Sequence, residues 1–366
     1  MLETSNLGSY PPVFRKLNSV VPQPKSYSMD DTQVSVPVPT VDLQCLSLHK
    51  LGEACESWGI FRLVNHGIPS TLLSKLQHHA KMLFSLSFES KQALITDPMS
   101  YFWGTPALTS SGAALKSSSP NMNWLEGLNV PLSQLTQFQP ENPLLHCFRL
   151  LLEEYGRHLS RIATTLFQSM AKNLHLDPEQ SESMLEESTG FFRVYRYPPR
   201  RSMGGEAWGM IPHTDSSVLS IVNQDQVGGL EIFKDNKWLL VDPIPNTLIV
   251  HIGDMMQAIS NDGYTSVRHR VRVKKPEERL SICYFVFPAE DSVIRSSKYK
   301  PFTYKEFQEQ VQKDTRALGY KVGLKRYVWA LVENYSNLMH ECFEPVKESR
   351  TATHLVADKS GSENSP

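Results

Sequence analysis

The sequence predicts a mainly β fold with flanking helices, built on a double-stranded β-helix, or jelly roll. Three observations carry this expectation. From Gly190 onward the apolar rhythm changes to period two. Eight short stretches keep that rhythm, near 190–197, 209–213, 217–222, 229–233, 237–241, 247–252, 265–273 and 279–287. Turn formers separate them: Pro198-Pro199, Gly228-Gly229, Asp235-Asn236, Pro243, Asp262-Gly263 and Pro276. The gaps are too short for crossover helices, so a roll or barrel is favoured over a parallel sheet.

The remaining elements follow in order. Residues 1–36 are rich in Pro and Ser without a clear period and are expected to form a flexible arm. Val36-Pro37-Val38-Pro39 leads into a first strand. Ser47 can cap a helix to about Trp58, and 59–64 is a short strand. Ile68-Pro69-Ser70 opens a helix in which Leu72, Leu76, Ala80 and Leu83 recur near a 3.6 period. Residues 97–143, rich in Pro, Ser, Gly and Asn, are expected to be loop-rich, and so long an insertion in a compact enzyme is often a substrate-facing lid. A long helix over 142–174 is marked by Leu144, Phe148, Leu151, Tyr155, Leu159, Ile162, Leu166 and Met170. A short helix is expected at 179–187 and a closing helix near 303–317. The organisation is then a flexible arm (1–36), a mainly helical domain (37–188), a jelly-roll domain with its closing helix (189–330) and a largely disordered, Ser-rich extension (331–366).

Bulk properties exclude several classes of function. The 366 residues carry a net charge of −1, so no whole-molecule field draws nucleic acid or an anionic membrane. No apolar run is long enough to span a bilayer, and Met-Leu-Glu-Thr-Ser-Asn shows no secretory pattern. The five cysteines are odd in number, scattered and free of any CxxC. They are read as reduced, buried apolar side chains of a cytoplasmic or nuclear protein.

The chemistry lies in an ordered set. His213 and Asp215 stand two residues apart, His269 follows 56 positions later (269 − 213), and Arg279-Leu280-Ser281 comes ten after that. Two imidazoles and a carboxylate can occupy one face of an octahedral Fe(II) and leave the other open for a co-substrate and O₂. Alternation puts Val267, His269, Val271 and Val273 on one strand face and Arg268, Arg270 and Arg272 on the other. Arginines seek water, so His269 is expected inside. On the next stretch Arg279, Ser281, Cys283, Phe285 and Phe287 share a face. A charged Arg279 there is costly unless an anion pairs with it, and a guanidinium fork beside a Ser hydroxyl suits a carboxylate. Each feature has a bland reading: His-x-Asp as a surface turn, a lone inward His as core, an inward Arg as half of a structural ion pair. Their order on strands of one barrel favours the functional reading. Zinc also accepts a His₂-carboxylate set, but zinc chemistry does not need the Arg-x-Ser anchor.

These residues carry a resemblance over roughly 36–330. The front half shows Trp58-Gly59-Ile60-Phe61 and Asn65-His66-Gly67. The core shows Tyr197-Pro198-Pro199, Pro212-His213-Thr214-Asp215, Ile252-Gly253-Asp254, His269-Arg270-Val271 and Arg279-Leu280-Ser281. The chain resembles the plant 2-oxoglutarate- and Fe(II)-dependent dioxygenases. The segments 224–230, 234–238 and 257–262, with Tyr101-Phe102-Trp103-Gly104 and Val322-Gly323-Leu324, resemble the gibberellin 2-oxidases that act on C20 gibberellins.

The resemblance implies Fe(II) on His213, Asp215 and His269, and 2-oxoglutarate on Arg279 and Ser281 with Tyr197 assisting. It also implies O₂ as co-substrate, ascorbate as reductant, and ring hydroxylation of a diterpenoid acid such as the C20 gibberellin GA12. An apolar pocket is expected, with Tyr101, Trp103, Trp124, Trp208 and Met210 as candidate lining. Two positions depart from the family pattern near that pocket: Tyr195 and His251 each replace an Asn. The alternatives are a different regiochemistry, hydration or desaturation, another apolar plant metabolite such as a flavonoid or auxin, or a non-catalytic small-acid-binding protein.

Overall fold

A computed structural model describes residues 7–18, 35–104, 123–199, 208–273 and 277–329. Residues 1–328 group as one compact unit and 329–366 as another, of which only Trp329 is described. The expected C-terminal extension, and residues 105–122 of the expected lid, therefore lie outside the described residues.

Fourteen strands are present among the described residues. The first four are β1 (Thr40–Asp42), β2 (Ile60–Val64), β3 (Ser100–Trp103) and β4 (Glu126–Pro131). Then come β5 (Glu186–Tyr197), β6 (Trp208–His213), β7 (Leu219–Gln224), β8 (Leu230–Lys234), β9 (Lys237–Leu240) and β10 (Leu248–Ile252). The last are β11 (His269–Arg272), β12 (Arg279–Phe287), β13 (Val293–Ile294) and β14 (Phe302–Thr303). A large sheet runs β1-β2-β10-β7-β12-β5-β4-β3, and a smaller one runs β6-β11-β8-β9. Apart from the parallel β1–β2 pair, both are antiparallel. This is the double sheet of a jelly roll. Every residue of β7, β10 and β12 is buried.

Helices cover the outer face of the large sheet. The helix Pro143–Asn173 starts where Asn142 accepts from the Leu145 N–H and Pro143 fills its first turn. Its Tyr155 stacks on Phe192 of β5, ring centroids 5.8 Å apart. Even-numbered residues of β5 therefore face the helix, and Arg193, Tyr195 and Tyr197 face the barrel interior. The buried stripe uses Leu145 and Leu152, one position on from the expected Leu144 and Leu151, which are half-buried. Each such fully buried Leu or aromatic contributes about 1.5–3 kcal/mol. The closing helix is Tyr304–Leu318. Thr303 and Glu306 form a capping box at its start, and Gly319 ends it at φ 81°.

Several expectations are corrected. Residues 97–143 are not all loop: β3 and β4 extend the large sheet beyond β5. Alternation was hidden because β4 buries both faces, with Glu126 and Asn129 among the buried residues. Residues 7–18 of the expected arm form a 3-10 turn and a short helix, Pro12–Asn18. Tyr10 and Phe14 bury themselves with Trp124 and Val273; one pair four apart is too little to show a period. The helix expected at 179–187 is only Pro178–Glu182, because β5 already begins at Glu186. Strands β1–β4 belong to the stretch expected to be mainly helical, so 37–188 and 189–330 share one sheet and one core. Cys55 and Cys283 are buried, but Cys45 and Cys147 are exposed, and all four are free thiols.

Candidate active site

His213 ends β6 and pairs with His269 at the start of β11. The two imidazoles begin as cross-strand neighbours, ring centroids 4.3 Å apart. The pairing of β6 and β11 slips just beyond His269, an irregularity of the kind that re-aims side chains at active sites. Asp215 sits two residues past the strand on a turn gripped from outside. The Asp254 N–H donates to the Asp215 carbonyl at 2.7 Å. Lys321 Nζ donates to the Thr214 carbonyl at 2.7 Å and the Ser216 hydroxyl at 3.1 Å, and pairs with Asp254 at 2.6 Å. Gly253 allows this approach: a Cβ there would lie 2.0 Å from the Ser217 carbonyl oxygen.

One donor atom from each of His213, Asp215 and His269 lies within 4.8 Å of the others. Asp215 Oδ1 is 3.7 Å from His213 Nε2 and 3.8 Å from His269 Nε2. The Nδ1 atoms point the other way, to the Ile211 carbonyl at 2.8 Å and the Val267 carbonyl at 3.2 Å. Each Nδ1–H thus donates to backbone and each Nε2 keeps its lone pair for a metal. Burial would raise the Asp215 pKa, but His269, His213 and His251 hold it well below the usual carboxylate range. Burial, with His213 and His251 nearby, keeps His269 neutral, although Asp215 opposes this. The ionised Asp215 and the neutral His269 are in the states that metal ligation requires. The donor set fits Fe(II).

The large sheet supplies the second half of the site. Arg279 is 3% exposed, donates to Ser281 Oγ at 3.2 Å and to Gln224 Oε1 at 3.0 Å, and lies 4.8 Å over the Tyr197 ring. No carboxylate lies within ion-pair reach of it among the described residues. Its Nε and the Gln224 Nε2 are buried without a partner among the described residues, the condition expected of a cradle for an anion.

Tyr195 and His251 also lie in the barrel interior. Tyr195 is 6.0 Å from Tyr197 between ring centroids, and His251 is 4.4 Å from His269. Met210 pairs with Val271 near the imidazoles. The other candidate lining residues lie elsewhere. Tyr101 donates to Glu126 in a buried cluster with Lys91 and Arg196. Trp124 stacks on Phe14 at 4.2 Å and Trp103 meets that ring edge-on at 6.0 Å. Trp208 stacks under Arg270 at 4.0 Å on the outer face of the small sheet. Aromatic content alone did not distinguish these structural positions from a pocket wall.

Two interior residues were missed from sequence. Gln224 shares a β7 face with Ser220 and Val222 and was visible by alternation. Arg193 faces Cys283 across the β5–β12 pair. Its guanidinium lies 4.7 Å over Phe191 and 5.9 Å over Phe285, it donates to the Tyr195 hydroxyl at 3.3 Å, and its Nε is buried without a partner. The Arg193–Arg196 pair put one arginine on each face of β5, so period two could not say which was inside.

A jelly roll that brings two imidazoles, one carboxylate and an inward Arg-x-Ser together defines a mononuclear non-haem iron oxygenase that uses a 2-oxo acid. Comparison with known proteins narrows this. Residues 188–288 match the 2OG-Fe(II) oxygenase superfamily model, and 38–144 match the model of the non-haem dioxygenase in morphine synthesis N-terminal. The chain is 33% identical to gibberellin 2-beta-dioxygenase 8 of Arabidopsis thaliana over 87% of its own length and 95% of the relative's. It is 34% identical to gibberellin 2-beta-dioxygenase 6 of Oryza sativa subsp. japonica over 79% and 84%. The fold matches the crystal structure of JOX2 in complex with 2OG, Fe and JA, with a TM-score of 0.66 at 24% identity over 83% and 94% of the chains. The chain belongs to the 2-oxoglutarate- and Fe(II)-dependent oxygenases.

Proposed function

We propose that this oxygenase oxidises a gibberellin or gibberellin precursor of the C20 class, by ring hydroxylation that removes hormone activity. The observation that carries the choice of an apolar acid is Arg193. It is an inward guanidinium against a contacting pair of Phe rings, with no carboxylate in ion-pair reach among the described residues. A carboxylated polycyclic substrate supplies both the apolar surface and the missing anion. Identity to gibberellin 2-beta-dioxygenases supports the same class.

In this reading His213, Asp215 and His269 hold the iron, and Arg279, Ser281, Gln224 and Tyr197 hold the far carboxylate of 2-oxoglutarate. Bound iron with 2-oxoglutarate supplies O₂ activation coupled to release of succinate and CO₂. The protein orients the acid, shields the site from water and fixes which C–H bond faces the metal.

The test is aerobic turnover with Fe(II), 2-oxoglutarate, ascorbate and a panel of C20 and C19 gibberellins, with an auxin and a flavonoid as competitors. The expected product carries one added oxygen and appears with one succinate, from a C20 acid. Arg193→Met is expected to raise KM for the acid about 10- to 100-fold, the loss of one charge-assisted contact. It should leave the KM of the methyl ester unchanged. Product from auxin or flavonoid alone would overturn the substrate assignment.

A further inference from the structure

We infer that His251 is a positioning residue that fixes which oxygen of Asp215 faces the metal. His251 lies on β10, 2% exposed, and belongs to the large sheet, whereas both ligand imidazoles belong to the small one. Its Nδ1 lies 3.4 Å from Asp215 Oδ2. The other oxygen, Oδ1, faces the Nε2 atoms of His213 and His269 at 3.7 and 3.8 Å. The carboxylate is therefore divided. One oxygen belongs to the three-donor cluster and the other to His251. The two imidazoles are divided in the same way, with Nδ1 on a backbone carbonyl and Nε2 on the cluster. His251 completes the pattern: each of the three donors has its outer atom held by the fold.

The role extends the reading of the site as an iron centre and adds a residue that does not itself bind. As donor to Asp215, His251 carries its proton on Nδ1, which leaves Nε2 as an acceptor. That atom is buried and has no hydrogen-bond partner among the described residues. A buried ring nitrogen without a partner costs stability. The unpaired nitrogen argues that the ring is there for its other atom.

Three variants separate donation from bulk. In His251→Asn the amide nitrogen takes the place of Nδ1 along the side chain and still donates. His251→Leu and His251→Phe fill the space without a donor. The measurements are Co(II) affinity by titration of the visible absorption bands, and the melting temperature of the metal-free protein. Loss of the donor is expected to weaken Co(II) binding 10- to 100-fold in Leu and Phe, the usual range for outer partners of metal ligands. Asn should stay within about threefold of the parent. The metal-free melting temperature of Leu or Phe should fall by only about 2–4 °C, the loss of one partner of Asp215. Phe decides if Leu fails to fold. Parental Co(II) affinity in either donorless variant, or an Asn variant as weak as Leu, overturns the assignment. Failure of gibberellin turnover bears on the substrate and leaves this test intact.

Discussion

Replacing Arg279 by Met separates co-substrate binding from folding. The guanidinium is 3% exposed, with Ser281 and Gln224 as its hydrogen-bond partners. The nearest carboxylate influence is Asp225, which is pushed up by burial and pulled back by Arg279 from beyond ion-pair distance. Removing one partner of a buried, hydrogen-bonded charge pair costs about 2–5 kcal/mol of binding. That is roughly a 30- to 3,000-fold weaker hold on 2-oxoglutarate at about 1.4 kcal/mol per decade. The metal-free protein should lose little, because no ion pair is broken. Thermal melting with Mn(II) in place of iron reads both quantities. At 100 times its Kd, 2-oxoglutarate stabilises the parent by about 2.7 kcal/mol. For the Met1–Val328 unit, an unfolding entropy of about 2.1 cal/mol/K per residue converts this to roughly 4 °C. A variant bound 100-fold more weakly should show only about 0.6 °C at the same concentration. A variant that keeps the full shift would refute the anchor.

Two further outcomes concern the scaffold. Glu126 is fully buried and takes Lys91 at 2.5 Å and Arg196 at 2.9 Å, so Glu126→Gln leaves two buried cations short of charge. A loss of about 3–5 kcal/mol is expected, read as a lower midpoint in urea with an unchanged slope; a parental midpoint would show the cluster to be dispensable. His66 is held below its usual 6.5 by burial, partly offset by the Asn246 carbonyl. Its Nδ1 accepts from the Ile68 N–H at 3.1 Å, which protonation would break. The unfolded chain takes up the proton first, so stability falls as pH drops below 6.5 and levels off once the folded histidine is also charged. His66→Gln should flatten that part of the pH–stability curve, and an unchanged curve would assign the slope to other groups.

Much of the site was legible because its residues obey strand alternation. His269 was placed inward, and it is 5% exposed beside His213 and Asp215. The premise was partly wrong, however. Arg270 does not seek water: it is buried between Trp208 at 4.0 Å and Trp238 at 3.8 Å, and pairs with the fully buried Glu231 at 2.5 Å. The valine face turned inward because the other face had its own buried carboxylate and indoles, from β6, β8 and β9. No local pattern announces partners as far off in sequence as Trp208, Glu231 and Trp238 are from Arg270. Strand β4 stayed hidden for the same reason, since Glu126 reads as solvent-facing until Lys91 and Arg196 are seen around it. Gln224 and Arg193 were on the page as letters, but their meaning depends on Arg279 and Phe285 lying on the neighbouring strand.

The Lys321 ammonium, just past the closing helix, holds the loop between His213 and Asp215. The segment just after that helix is thereby tethered to the turn that carries Asp215. Losing that one ammonium would slacken the turn and let the carboxylate wander from the imidazoles while the strands keep their register.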